Sequence, residues 1–163
     1  MLEGRGGIME RLDGTMEERI WQRVLGQPGP EQMGEDLRPL MQQVQEQMGA
    51  YKKMWSQASG RSRELLRRLQ EGERENLACL RGIQLLRNAP APKGDLLPGG
   101  GGPAKKILER CYHRSRRLMG EYTARSASSE FGAVFYGMAE RQRMLCALVA
   151  ETLGELGQHE GVR

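Results

Sequence analysis

Residues 88–103 read NAPAPKGDLLPGGGGP, and this stretch holds four of the seven prolines and five of the 22 glycines in the chain. Proline interrupts a helix and glycine disfavours one, so the stretch predicts a long irregular linker. The run Gly99–Gly102 lacks the Lys-Ser/Thr pair that would follow in a phosphate-binding loop. We therefore expect a slack crossover between two halves of the chain.

Shorter breaks divide each half into two segments. Ala58-Ser59-Gly60 interrupts the first half and Ser126–Ser129 interrupts the second, where Ser129 is the predicted N-cap of the next helix. Both halves are rich in Leu, Met, Gln, Glu and Arg and poor in β-branched and aromatic residues, which argues against a sheet. The fold class is therefore all-α, and the predicted helices are residues 37–58, 62–87, 104–125 and 130–156.

Each predicted helix carries a mostly apolar stripe with a few polar residues at mid-height. Apart from one step of seven between Val149 and Leu156, its members recur at alternating steps of four and three residues, which is the spacing of a helix-bundle seam. The segment MGAY at 48–51 returns as MGEY at 119–122, which predicts two similar helical hairpins. Together with the long crossover, these features predict an antiparallel four-helix bundle with a ferritin-like connection. The stripes are Leu37, Met41, Val44, Met48, Tyr51, Trp55 and Ala58; Leu69, Glu73, Asn76, Leu80 and Ile83; Ala104, Leu108, Cys111, Ser115, Leu118, Tyr122 and Arg125; and Phe131, Phe135, Met138, Gln142, Leu145, Val149 and Leu156.

The predicted bundle domain spans residues 35–157 and is followed by a frayed tail, residues 158–163. Before it lies an N-terminal segment, residues 1–34, whose apolar residues recur every four positions between 8 and 25. This spacing predicts a short amphipathic helix that packs on the bundle. The recurring residues are Ile8, Leu12, Met16, Ile20 and Val24.

Composition limits the environment and the chemistry of the chain. It has 163 residues, a net charge of +4 and no apolar stretch near the roughly 20 residues of a membrane span, so we expect a soluble, cytoplasmic protein without a membrane partner. Its three cysteines, at 79, 111 and 146, are too few and too far apart for a disulfide framework or a Cys-x-x-Cys zinc site. We expect reduced, buried thiols.

The segment Glu73–Leu80, ERENLACL, resembles the Glu-x-x-His-Ala-x-x-Leu helix of the rubrerythrin branch of the ferritin-like superfamily, particularly small bacterial ferritin-like domain proteins. The resemblance covers about residues 37–156 and includes FGAVF at 131–135 leading into MAERQ at 138–142. It implies a ferritin-like four-helix bundle. Active members of that family hold two irons with one Glu from each of two helices and a Glu-x-x-His from each of the other two.

Carried over by this resemblance, the six iron-ligand positions retain a ligand type only at Glu73. A single carboxylate does not hold two irons, so we expect no metal and no cofactor and regard the positions as vestigial. Other acids do not repair the site, because Glu46, Glu64, Glu71, Glu109, Glu121 and Glu140 fall off the inward stripes, and neither His113 nor His159 lies on them. The six positions are Val44, Glu73, Asn76, Ser115, Gln142 and Leu145.

A buried Glu73 must be protonated or hydrogen-bonded, because an uncompensated carboxylate in a core costs several kcal/mol. Asn76, Ser115 and Gln142 are its expected partners. Two interpretations stay open at this point. The residues form either a satisfied polar layer that specifies the bundle register, or a small pocket that preserves a vestigial metal site.

The predicted function is that of a non-catalytic structural or protein-interaction protein, with self-association through a helix face as one form of partnership. No catalytic constellation is visible at helical spacing. The first alternative is a rubrerythrin-type iron-binding oxidoreductase with an unorthodox site around Glu73. The second is a weak nucleic-acid binder that uses the arginines of 61–68 and 110–117. Because glutamates are interspersed among them, we expect ion-paired, solvated faces and no nucleic-acid partner.

Overall fold

The structure is a computed structural model that describes residues 36–94 and 96–161, with side chains through residue 158. It contains four helices and, within the described ranges, no strand, so the predicted all-α class is confirmed. The predicted N-terminal helix at 8–25 lies outside these ranges. The helices are α1 (Arg38–Gln57), α2 (Gly60–Leu86), α3 (Ala104–Ser128) and α4 (Gly132–Gly161).

The helix ends follow local chemistry and differ from the predicted bounds by a few residues. Gly60 begins α2 with a φ of +59°, a conformation that glycine adopts without strain. α3 runs on to Ser128 instead of ending at 125, and in this last turn the hydroxyls of Ser126 and Ser128 donate to carbonyls of the preceding turn. The Ser129 side chain accepts the N–H of Phe131 at 3.1 Å, but α4 begins at Gly132, three residues later, so the prediction that Ser129 is the N-cap is wrong.

The helices enclose one interior. Both α1 and α4 pack against α2 and α3, so that α2 and α3 lie diagonally across the interior from each other. Most of the predicted stripe residues are buried, but Ala104 is exposed because it lies in the first turn of α3, beyond the end of the core. Stripe residues at other helix ends are only partly buried: Trp55, Ala58, Arg125, Phe131 and Leu156.

The apolar side chains form two clusters, one toward each end of the interior. The first cluster contains Leu37 and Phe135, and the second contains Met54 and Val149. No helix within residues 36–94 and 96–161 has the length and apolar character that crossing a membrane requires.

The crossover between α2 and α3 is packed against α1, which corrects the expectation of a slack linker. The N–H of Leu97 donates to the carbonyl of Gln45 at 3.1 Å, and the buried side-chain amide of Gln45 donates to the carbonyl of Gly94 at 2.8 Å. Gly49 allows this approach, since a Cβ there would overlap the carbonyl oxygen of Leu97. Gly120, its counterpart in the MGEY repeat, has open space at the same place.

Candidate functional site

The structure places all six predicted iron-ligand positions in the interior. Leu145 is 3% exposed, and the other five side chains have no exposed area. Val44 belongs to the first apolar cluster and Leu145 to the second, while the four polar residues are joined by hydrogen bonds. We call these four residues the polar layer: Glu73, Asn76, Ser115 and Gln142.

The amide of Gln142 is the centre of the polar layer. Its nitrogen donates to Glu73 Oε1 at 2.9 Å and to Ser115 Oγ at 2.6 Å. Its oxygen accepts a hydrogen bond from Asn76 Nδ2 at 2.9 Å. One side chain of α4 therefore connects polar residues of α2 and α3. Of the three partners predicted for Glu73, Gln142 is the one that donates a hydrogen bond to it.

Arg141 continues this network toward the surface. Its guanidinium donates to Asn76 Oδ1 at 2.7 Å and pairs with Glu75 at 2.7 Å. Glu75 is exposed, so the polar layer is connected to solvent-facing charges on one side of the interface between α2 and α4. At the other side, the Cys146 thiol lies 3.2 Å from Ser115 Oγ.

Glu73 is only half satisfied by this network. Its Oε2 atom has no hydrogen-bond partner among the residues that the structure describes. Burial raises the pKa of Glu73 to about 7, against the opposing effects of the Gln142 hydrogen bond and the Arg114 charge. The carboxyl group is therefore mainly neutral in mildly acidic solution and can exchange a proton near neutral pH.

A second buried polar chain, which the sequence analysis missed, lies between α1 and α3. Gln47 has no exposed area, and its amide nitrogen donates to the Tyr51 hydroxyl and to the Cys111 carbonyl, both at 3.0 Å. Arg114 donates to the Gln47 oxygen at 3.1 Å and pairs with Glu46 at 3.3 Å. The available signal was that Gln47 follows Val44 by three residues and precedes Tyr51 by four, which puts all three on one helix face.

The two tyrosines of the repeated segments are both fully buried. Burial raises the pKa of Tyr51 and of Tyr122 well above the ordinary tyrosine value, and the negative charge of Glu73 contributes to both shifts. The Tyr122 hydroxyl has no hydrogen-bond partner in the described part of the chain. Both phenols are thus neutral groups of the interior.

The donor set around the polar layer is poor in metal ligands. Among the described side chains, no three His, Cys, Asp or Glu residues are grouped in a way that would hold a metal ion. The six acids predicted to lie off the stripes are all at least partly exposed, and His113 is exposed as well. The side chain of His159 lies outside the described part.

The three cysteines are free thiols, and Cys111 belongs to the second apolar cluster. Cys111 is buried, and burial raises the pKa of its thiol to about 12. Burial also raises the pKa of Cys146, which is partly exposed. Cys79 packs against the first apolar cluster and is partly buried, so only Cys111 meets the expectation of a fully buried thiol.

The arginine-rich helices differ in how their charges are compensated. On α2, Arg61 pairs with Glu151 and Glu155, and Arg67 pairs with glutamates of its own helix, as the sequence predicts. On α3, by contrast, Arg116 and Arg117 have no acidic partner within residues 36–94 and 96–158. The predicted ion-paired face is therefore present on α2 and incomplete on α3.

No protein-family model, curated protein or solved structure matches the chain. The ferritin-like resemblance thus stays a prediction that depends on the motifs in residues 37–156. The described residues themselves establish an all-α fold of four helices with a buried polar layer.

Proposed function

We propose that this chain is a non-catalytic bundle of the ferritin-like type in which a hydrogen-bonded polar layer has replaced a di-iron centre. Its role is that of a structural or protein-interaction protein. The observation that carries this proposal is the Gln142 network, because side chains of the bundle itself occupy the six ligand positions and four of them are joined there by hydrogen bonds. Only Glu73 among them offers a carboxylate.

The directions of the helices support the ferritin-like connection. In the first apolar cluster, early residues of α1 lie with late residues of α2 and α3, and in the second cluster the order is reversed. Both α2 and α3 therefore run opposite to α1. The crossover that connects the end of α2 to the start of α3 must run back along the length of the bundle, and it lies beside α1. Representative neighbours are Met41, Leu80 and Tyr122 in the first cluster and Tyr51, Leu69 and Cys111 in the second.

The chemistry of the donor set supports the loss of iron. Two irons need several hard carboxylate oxygens, together with imidazoles that complete their coordination. An amide, a hydroxyl and two aliphatic side chains occupy positions where the resemblance implies ligands. The rival function, an iron-binding oxidoreductase, would have to recruit acids that lie at the surface, such as Glu46 or Glu140.

Metal analysis of the full chain purified from iron-supplemented cells tests the loss of iron. We expect no stoichiometric iron. A content of about two tightly held irons per chain, the number held by active ferritin-like proteins, would overturn the proposal.

Restoring the ligands tests whether the six positions are arranged as in a ferritin-like bundle. The fivefold variant Val44→Glu, Asn76→His, Ser115→Glu, Gln142→Glu and Leu145→His supplies the missing ligand types, and we expect it to bind about two irons per chain. Adding Glu73→Ala to that variant should abolish the binding. Circular dichroism establishes that both variants are helical, and a helical fivefold variant that binds no iron contradicts the ferritin-like frame.

The outward face of α4 is the surface that fits an interaction role. Tyr136 and Met144 are 62% and 64% exposed, and small exposed residues continue the same side of the helix. Apolar side chains on two sides of a helix are typical of a helix that packs against other protein surfaces on both sides. The small residues are Ala147, Ala150 and Gly154.

A second copy of the chain is the occupant that the charges favour. Within the chain Arg143 pairs with Glu140 and Glu151 pairs with Arg61. If two α4 helices pair antiparallel about Ala147, Arg143 lies opposite the partner's Glu151 and adds an ion pair to these contacts, and symmetry repeats it. Sedimentation of the full chain should then reveal a dimer that Ala147→Glu dissociates, while Arg68→Glu on the outer side of α2 leaves it intact. A wild-type chain that stays monomeric at high concentration would contradict this assignment.

A further inference from the structure

One side of α3 presents a row of three arginines and a histidine to solvent. Arg110, His113, Arg114 and Arg117 follow one another at steps of three, one and three residues, so they share a helix face. With Arg116 they line a shallow cleft. Arg114 is partly buried by its contacts with α1, whereas the other four side chains are exposed.

The positive charge of this row is largely uncompensated. Arg114 pairs with Glu46, but the guanidinium of Arg110 donates to the carbonyl of Gly101 at 2.6 Å and thus keeps its full charge. Arg116 and Arg117 have no acidic partner in the part of the chain that the structure describes.

The crossover joins this row to further cations on α1. A second cleft lies between α1 and the glycine run, and Lys52, Lys53 and residues 99–101 contribute to its lining. Arg110 contacts Gly101, which also lines that cleft, so the two clefts adjoin. We call this combined surface the basic face: Lys52, Lys53, Arg110, His113, Arg114, Arg116 and Arg117.

We propose that the basic face binds the phosphate backbone of a nucleic-acid duplex, a property that goes beyond the proposed structural role. The row from Arg110 to Arg117 extends along about 10 Å of helix, at a rise of 1.5 Å per residue, and Lys52 and Lys53 extend the charge further. An extended series of cations matches a regularly repeating anion better than a single small one.

The composition of the face favours a duplex over other polyanions. Single-strand binding sites use exposed aromatic rings on which bases stack, whereas Tyr112, the aromatic residue nearest this row in sequence, is partly buried and packs edge-on against His113. A membrane-surface site combines basic residues with a broad apolar face, but Leu96 is the one large exposed apolar side chain that lines the two clefts.

Fluorescence anisotropy of a labelled DNA duplex of mixed sequence, titrated with the full chain at several salt concentrations, tests the proposal. We expect binding whose logarithmic affinity falls with the logarithm of salt at a slope of about −3 or steeper, since each neutralised phosphate contributes about −0.9. The double variant Arg116→Gln/Arg117→Gln should bind about tenfold more weakly, with a slope shallower by about two.

The matched control removes the same charge from another face. Arg68→Gln/Arg74→Gln alters two exposed arginines of α2, which lies diagonally across from α3, and should change the affinity by less than about twofold. Thermal unfolding by circular dichroism verifies that both double variants are folded. Equal weakening by the two double variants, or no duplex binding at low salt, would overturn the proposal. Tighter binding of poly-glutamate or of a single strand than of the duplex would also overturn it.

Discussion

The amide nitrogen of Gln142 donates to Glu73 Oε1 at 2.9 Å, while Glu73 Oε2 meets no hydrogen-bond partner in the described interior. One hydrogen bond does not compensate for removing a carboxylate from water, so burial dominates and raises the pKa of Glu73 from 4.5 to about 7. The polar layer consequently stabilises the fold best when this carboxyl is protonated.

The stability of the protein should fall as pH rises from about 4.5 to about 7. Over this interval the unfolded chain releases the Glu73 proton while the folded chain retains it, so ionisation favours the unfolded state. The pKa difference corresponds to about 3 kcal/mol in the free energy of unfolding. Urea unfolding at several pH values measures it. Glu73→Gln should flatten the curve and Glu71→Gln, at an exposed position, should not; parallel curves for wild type and Glu73→Gln would contradict the argument.

Gln142→Leu should destabilise the protein by about 3 kcal/mol or more, because it leaves polar groups of Glu73, Asn76 and Ser115 buried without their shared partner. Chemical denaturation measures the loss. The control Gln57→Leu lies at an exposed position at the end of α1 and should change the free energy of unfolding by less than about 0.5 kcal/mol. Similar small effects from both substitutions would argue against a stabilising role for the polar layer.

Gly49→Ala should destabilise the protein, since the new methyl group overlaps the Leu97 carbonyl and forces the crossover away from α1. We expect a loss of about 1–3 kcal/mol in the free energy of unfolding, measured by thermal or urea denaturation. Gly120→Ala is the matched control. It meets open space within α3 and should stabilise the protein by about 0.5–1 kcal/mol through helix propensity. Equal effects of the two substitutions would contradict the docking of the crossover.

Cys111 should resist alkylation by iodoacetamide in the native protein at pH 8, because its thiol is buried and its pKa is raised to about 12. Peptide mass spectrometry after a timed reaction measures the modified fraction at each cysteine. In urea all three cysteines should react, which provides the control for reagent activity. Rapid native modification of Cys111, without loss of structure, would show that the core opens on the time scale of the reaction.

The helices and their buried faces were predictable because a single periodicity determines them. Val44, Ser115 and Gln142 were assigned to the interior by spacing alone, and all three are fully buried. Spacing does not reveal which side chains hydrogen-bond to each other. The central position of Gln142 and the lack of a partner for Glu73 Oε2 in the described interior therefore follow only from the three-dimensional structure.

Features that depend on contacts between helices were not predictable in the same way. Arginines of α2 and α3 look alike in sequence, yet Arg61 reaches acids of α4 whereas Arg117 has no acid within reach in the described chain. The crossover was expected to be slack because its composition is that of a flexible linker. Its docking depends on a glycine of a different element, Gly49.

The docked crossover also changes how the two halves of the chain can be connected. Gly94 supplies the carbonyl that accepts from the Gln45 side chain, and Leu97 supplies the N–H that donates to the Gln45 carbonyl, so these two residues cover part of the surface of α1. A generic Gly-Ser replacement of equal length would span the same distance yet lack the leucine side chains at 96 and 97 that line the cleft beside α1. The crossover between the two halves therefore has sequence requirements of its own. Tags and new termini for circular permutation should be placed outside it.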